Sequence, residues 1–270
     1  MNKLKNRINN LLWKIWMYRG ILSLNRLETS ATEIKQAIRE TIFHKISQEE
    51  KAWIIQIEQI RKQFTGDPTP VTILDYGAGN PDSQRSDEEM AGGISSSTTY
   101  GEICKGSKPE FWAFLLFKLI RMIQPELAIE LGTCIGISAA YQSAALQLNG
   151  KGRLITIEGS EAIAGLAKKN IESLHLDNID ILCGTFKEVL PRIFEKISAV
   201  DYVFIDGHHD EQATVDYFEY LLPYLSPGAL LVFDDISWSR GMQRAWEKIR
   251  KHPAVSFAVD LKMIGICKMN

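Results

Sequence analysis

No apolar run in this 270-residue chain approaches the ~20 residues that crossing a bilayer requires. A membrane-spanning helix is therefore not expected. Acidic residues are absent from positions 1–26, which carry six basic ones. Lys14 and Arg19 interrupt the apolar stretch there, which argues against a cleaved signal peptide. The four cysteines, Cys104, Cys134, Cys183 and Cys267, stand far apart with no CxxC spacing. Neither a structural zinc site nor a redox pair is expected from them, and they read as reduced thiols of a cytoplasmic protein. With a formal net charge of −2 the chain lacks the basic excess of a polyanion binder, so nucleic acid is not an expected partner. Internal repeats, low-complexity tracts and the dinucleotide fingerprint G-x-G-x-x-G are all missing.

What is present is the composition of an ordinary globular protein, 45% hydrophobic and 24% charged, in a chain long enough to bury a large core. Leu4, Ile8, Leu11, Leu12, Ile15 and Trp16 fall on one face of a helix. That face is expected to dock on the rest of the protein or on a second copy of the chain. A helix lying on an anionic membrane surface is the alternative. Residues 30–64 read as further helix, with a capping box at Ser47 and Glu50. The segment Thr65-Gly-Asp-Pro-Thr-Pro70 ends it. A short apolar run, 71–74, and a long Gly/Ser/Asp/Thr-rich loop, 75–100, follow. Within this stretch Ile73-Leu-Asp-Tyr-Gly-Ala-Gly-Asn80 resembles a strand with a glycine loop. No helix follows it, so it reads as a turn of secondary importance.

From Pro109, which opens a helix, strands and helices alternate. Strands are expected at 127–131, 153–158, 179–183, 202–206 and 229–234, and helices at about 137–148, 160–173, 186–195, 211–225 and 239–251. Short apolar strands separated by amphipathic helices predict a parallel sheet covered on both faces. The last two strands, 256–261 and 264–268, are separated by only Lys262 and Met263, a gap that suits an antiparallel hairpin. The expected architecture is α/β: a Rossmann-like, doubly wound, mostly parallel seven-stranded sheet. It has a C-terminal antiparallel hairpin and a helical N-terminal extension, divided as residues 1–97 and 98–270.

The first long strand runs into Glu130-Leu-Gly-Thr-Cys-Ile-Gly136-Ile-Ser138. A glycine there permits a tight turn and close approach of backbone to ligand, and the next helix aims its amides at the same place. The acidic-x-Gly-x-x-x-Gly spacing differs from the dinucleotide pattern. A carboxylate at Glu130 suits a cationic ligand such as S-adenosylmethionine and would repel a pyrophosphate. Glu158-Gly159, at the second strand end, is placed to accept ribose hydroxyls. Gly184-Thr185-Phe186 offers an adenine-binding loop. Asp206 ends the fourth strand, and Asp234 and Asp235 end the fifth. Three carboxylates in one crevice repel unless a hard cation such as Mg²⁺, Mn²⁺ or Ca²⁺ joins them. His209, three residues past Asp206, is placed to act as general base.

Taken together, Glu130-Leu-Gly, Ile157-Glu158, Phe204-Ile-Asp-Gly-His-His209, Leu225-Ser-Pro-Gly228 and Phe233-Asp-Asp235 resemble the class I methyltransferases. Among them the pattern is similar to the cation-dependent O-methyltransferases of the catechol, caffeoyl-CoA and macrolide-sugar types, over about residues 98–270. The resemblance implies a cofactor site at Glu130, Gly132, Thr133, Gly136, Ser138, Glu158, Gly159, Gly184, Thr185, Phe186 and Asp206. It implies metal ligands Asp206, Asp234 and Asp235, catalysis by His209 and Asp206, and a small-molecule hydroxyl as acceptor. Catechol and caffeoyl-CoA types usually carry Lys near the position of His209 and Asn at that of Asp235, departures that leave the acceptor class open. A nicotinamide-dependent oxidoreductase and a non-catalytic scaffold of the same fold are the rival readings.

Overall fold

The computed structural model describes residues 2–24, 31–80 and 83–270. In chain order its elements begin with helices α1 (Asn2–Leu24), α2 (Thr32–Ile42) and α3 (Gln48–Phe64). Next come β1 (Pro70–Asp75), the two-residue strands β2 (Gly79–Asn80) and β3 (Ser83–Gln84), α4 (Asp87–Gly92) and β4 (Ile94–Thr99). Helices α5 (Tyr100–Gly106) and α6 (Glu110–Ile123) lead into the main alternation. That alternation runs β5 (Leu127–Leu131), α7 (Ile137–Asn149), β6 (Arg153–Glu158), α8 (Glu161–Ser173), β7 (Ile179–Cys183), α9 (Phe186–Phe194), β8 (Val200–Ile205), α10 (Glu211–Leu221), β9 (Leu225–Phe233) and α11 (Arg240–Ile249). Strands β10 (Val255–Asp260) and β11 (Gly265–Met269) close the chain.

Seven strands form one sheet in the order β10-β11-β9-β8-β5-β6-β7. The five from β9 to β7 are parallel, and β11 and β10 add antiparallel at one edge. This is the doubly wound fold the apolar strands predict. Strands β5, β6 and β7 are laid outward in one direction, and the chain then returns to place β8 on the other side of β5. The carboxyl ends of β5 and β8 are thus a topological switch point, where helices diverge to opposite faces and leave a crevice.

The N-terminal helices share the core of this sheet. Met17, Ile34, Ile38 and Ile57 are buried in one apolar cluster with Phe117 of α6, Tyr141 of α7 and Ile266 of β11. A buried ion group reinforces the packing. Lys118 Nζ lies 2.8 Å from Glu50 and 2.9 Å from Glu40, tying α6 to α3 and α2. Ser47 and Glu50 form the reciprocal capping box expected at the start of α3.

Two expectations are corrected here. The docked face of α1 is not the face inferred from its spacing: Trp13 stacks on Phe111 at 5.5 Å, and Met17, Ile21 and Leu24 are buried. Gly20 lets the helix approach the hairpin, since a Cβ there would meet Leu261 at 2.4 Å. Leu11, Leu12 and Ile15 are exposed, Trp16 is half-buried, and the side chains of Leu4 and Ile8 lie outside the described residues. The helix is apolar on two faces, and a search for one stripe finds only one of them. The second correction concerns residues 75–100, which are not a plain loop. They hold β4, paired antiparallel with β1 from Pro70–Thr99 to Asp75–Ile94, and the short helix α4. The Ser86/Glu89 capping box that starts α4 is an S-x-x-E signature legible in the sequence.

Candidate active site

The crevice at the switch point is lined by the carboxyl ends of β5, β6 and β8, the start of α9, and two segments from outside the sheet. Of the residues that the resemblance implies for the cofactor, Gly132, Thr133, Ser138, Glu158, Gly159, Gly184, Thr185, Phe186 and Asp206 line it. Gly132 adopts φ +106, and a Cβ there would sit 2.1 Å from the carbonyl oxygen of Asp206. Its requirement is therefore close packing of the β5 and β8 ends. A larger residue would break the fold before it met any ligand.

Glu130 and Gly136, also implied as cofactor contacts, do not line the crevice. The Glu130 side chain is turned into the protein and is fully buried. Its carboxylate accepts hydrogen bonds from Thr156 Oγ1 at 2.6 Å and Gln142 Nε2 at 2.8 Å. Burial drives its pKa up to about 7 against the opposing pull of these bonds. Glu130 thus braces β5 against β6 and α7. Gly136 caps α7 in the left-handed region, φ +85, a backbone role.

Glu158 has the opposite disposition. It is half-buried at the crevice, where its two oxygens accept hydrogen bonds from Cys134 N at 2.9 Å and Ser160 N at 3.0 Å. Each carboxylate oxygen has a second lone pair to offer. Burial raises its pKa, and the amide donors work against that. The amides fix the orientation of a group that can accept ligand hydroxyls.

At the far end of the crevice the acid and base groups collect. His209 Nε2 stands 3.7 Å from Asp206 Oδ1. Asp206, His209 and Asp234 can each bring one donor atom within 4.8 Å of the others, and Asp235 is not in that group. Of the three carboxylates that the resemblance implies as metal ligands, the structure brings Asp206 and Asp234 together, with His209 beside them and Asp235 apart. Asp234 continues the backbone pairing of β9 through its N–H to Ile205 O, which aims its side chain at Asp206. Asp235 takes φ +51, a turn that sends the chain away. Cys134, His208 and His209 also have positive φ, at 50°, 62° and 52°. Such non-glycine backbone is costly and clusters where a site demands it.

A residue not singled out by the sequence pattern completes this cluster. Lys108, at the turn before α6, is buried; its ammonium bonds Asp234 Oδ2 and lies 3.2 Å from Asp206 Oδ2. Burial alone would lower its pKa, but the carboxylates of Asp206, Asp234 and Asp235 outweigh that and raise it. The ammonium is firmly charged. Asp206 is pushed well up by burial and by Asp234, whereas Asp234 is held down by Lys108 despite its burial. Burial also lifts Asp235, to about 6. His209 is lowered to about 4, chiefly by burial, so its imidazole is neutral near pH 7.

The second contribution from outside the sheet comes from β1 and the turn after it. Leu74, Asp75, Tyr76 and Gly77 line the crevice, so this glycine-containing stretch is more than a peripheral turn. The Tyr76 ring lies against Gly159, where a Cβ would approach it to 2.6 Å. Ala78 N donates to His208 O at 2.8 Å, and Leu74 N to Ser160 Oγ at 3.4 Å. These bonds close one side of the crevice. On the wall beyond, Phe186 packs edge-on to His208 at 5.8 Å, and Trp238 lies 5.9 Å from His209.

This geometry has counterparts. Residues 129–236 match the family model of a methyltransferase domain. The chain is similar to the structure of an O-methyltransferase from Bacillus cereus in complex with S-adenosylhomocysteine, at 25% identity and TM-score 0.54 over 61% of this chain and 83% of that one. It shares the fold of the O-methyltransferase TomG from Streptomyces achromogenes, solved with S-adenosylmethionine, at 22% identity and TM-score 0.53 over 61% and 82%. It likewise shares the fold of a methyltransferase from Podospora anserina bound to S-adenosylhomocysteine, at 12% identity and TM-score 0.54 over 62% and 81%. No curated protein matches the chain by sequence. Residues 129–236 thus match a methyltransferase domain, and the sheet with the crevice at its switch point has the fold of these O-methyltransferase structures.

Proposed function

We propose that this chain transfers the methyl group of S-adenosylmethionine to a hydroxyl oxygen of a small-molecule acceptor. The observation that carries the reading is one continuous crevice. It joins the oriented carboxylate of Glu158 to Lys108, Asp206 and His209, with the buried Asp234 directly behind them. In this reading the adenosine half of the cofactor lies along Gly132, Glu158 and Gly184–Phe186, with Glu158 accepting the ribose hydroxyls and Tyr76 covering it. The sulfonium methyl then faces the acid–base group. An acceptor hydroxyl there gives its proton to His209 Nε2. The oxygen takes the methyl carbon as the carbon–sulfur bond breaks, and the electron pair of that bond stays on sulfur as the thioether. Charge is cancelled in this step, so alignment supplies most of the acceleration. Lys108 stabilises negative charge developing on the acceptor oxygen and keeps Asp234 ionised.

Hard carboxylate oxygens beside an imidazole fit a divalent cation of the Mg²⁺ or Mn²⁺ kind, which Asp206 and Asp234 would hold. Such an ion acidifies and orients a bound hydroxyl. Because Lys108 already holds the same oxygens, it competes with the ion for them.

The test is incubation with methyl-labelled S-adenosylmethionine and a panel of phenol, sugar and aliphatic alcohol acceptors, read by mass spectrometry. Label on an oxygen is the expected result, together with thermal stabilisation by S-adenosylhomocysteine. Stabilisation by a nicotinamide dinucleotide instead, or by neither ligand, would overturn the reading.

A further inference from the structure

The crevice accounts for the carboxyl end of the sheet but not for the outer face of α1. We infer that this face is a membrane-docking surface that rests on anionic lipid. Leu11 and Leu22 are each 61% exposed, and Ile15 and Tyr18 lie exposed between them. The positions 11, 15, 18 and 22 form one stripe at helical spacing, on the side of α1 away from the docked Trp13, Met17 and Leu24. In the sequence, Leu4 and Ile8 extend the same spacing towards the N-terminus. Phe43, at 67% the most exposed large apolar side chain among the described residues, joins the stripe through an edge-on contact with Tyr18 at 6.3 Å. A helix already docked through one apolar face has no folding reason to carry a second.

Charge selects the occupant. Residues 1–26 hold six basic residues and no acidic one. Beside Tyr18 and Phe43 opens a shallow cavity whose charged lining is Lys35, Arg39, Lys45 and Glu40, the last already paired with Lys118 at 2.9 Å. A second copy of the chain docking by a two-fold axis would bring this basic segment against itself. Anionic lipid headgroups complement it, while the stripe enters the acyl boundary, as interfacial amphipathic helices do. No helix among the described residues is long and apolar enough to cross a membrane, so the contact lies in the plane of the surface.

The experiment is flotation of the full chain with phosphatidylglycerol-containing vesicles and with pure phosphatidylcholine vesicles, at low and high salt. Binding to the anionic vesicles, weakened by salt and absent on the neutral ones, is expected. Ile15→Glu/Leu22→Glu should lower the partition coefficient about tenfold or more, since each side chain forfeits its apolar burial. Lys14→Glu/Arg19→Glu should also lower it, at about fivefold per basic residue removed. All four positions sit on the outer helix, three of them exposed, so both variants should keep the wild-type melting temperature, which separates lost docking from lost folding. The inference is overturned by absence of binding to anionic vesicles, by equal binding of wild type and Ile15→Glu/Leu22→Glu, or by a dimer in sedimentation that this variant converts to monomer.

Discussion

Replacing Lys108 by Met tests whether its ammonium is the counter-charge that holds the site together. Met keeps the apolar stem, so packing near Phe204, whose ring centre lies 5.8 Å from Lys108 Nζ, is largely retained. What is lost is the cation between Asp206 and Asp234, whose side chains are 17% and 2% exposed. Removing one partner of a buried ion group costs about 3–5 kcal/mol, because the remaining charges are left without solvent or partner. The pH dependence identifies the cause. In the wild type Asp234 is depressed by Lys108, so it contributes stability above its unfolded pKa that is lost as pH falls through the folded value. Without Lys108 the two carboxylates repel, the Asp234 pKa rises above its unfolded value, and the native state binds the extra proton. Stability of the variant then falls as pH rises through that window. The difference between the proteins should therefore be small at acid pH and reach the full cost near neutrality. Added Mg²⁺ should rescue the variant more than the wild type, by about 2.7 kcal/mol at a hundredfold excess over its dissociation constant. Urea unfolding with and without Mg²⁺ measures all of this. A loss below about 1 kcal/mol, or one constant across pH, would refute the assignment.

Two further outcomes follow from the same geometry. Glu158→Ala should weaken S-adenosylhomocysteine binding by about 1–3 kcal/mol in calorimetry, the worth of hydrogen bonds to a charged acceptor; unchanged affinity would place the ribose elsewhere. Glu130 has a folded pKa raised to about 7, so the native state holds its proton longer than the unfolded chain and wild-type stability falls between about pH 4.5 and 7. Glu130→Gln should remove up to about 3 kcal/mol of that decline, and an unfolding profile that parallels the wild type across this range would contradict the buried position.

The sheet was legible because its central strands β5, β8 and β9 are almost continuously apolar and buried, while its helices are amphipathic. The flanking strands β6, β7, β10 and β11 followed from their short apolar runs between helices or turns, and the short gap at Lys262 and Met263 correctly required a hairpin. Helix α1 was legible as a helix but not in orientation, since hydrophobic spacing reports an apolar face without saying what meets it. Burial by Phe111 and Leu261 decides that, and both are remote in sequence. Strand β4 was hidden for a related reason. Ile94-Ser-Ser-Ser-Thr-Thr99 is short, polar and paired with β1 in a two-stranded ribbon outside the main sheet, so it never buries enough to show a pattern.

The site shows the same division between what a strand end dictates and what the remainder of the chain adds. Asp206, Glu158 and Asp234 were legible because a carboxylate at the carboxyl end of a parallel strand must face the crevice. Glu130, one residue earlier than Leu131, escapes that rule: its side chain points into the protein, and only the Thr156 and Gln142 partners reveal it. Lys108 and Tyr76 carried no strand-end signal at all. They enter from segments before β5, and their place is set by the way α6 and β1 dock. Lys108 nevertheless pairs with both Asp206 and Asp234. Three carboxylates read from sequence demand a cation, and the expectation was a metal. The fold already delivers one charge from within the chain, at the turn before α6. A metal and an ammonium are two answers to one electrostatic requirement. Sequence pattern states the requirement, and only the packing of Lys108 shows that part of the answer is covalently attached.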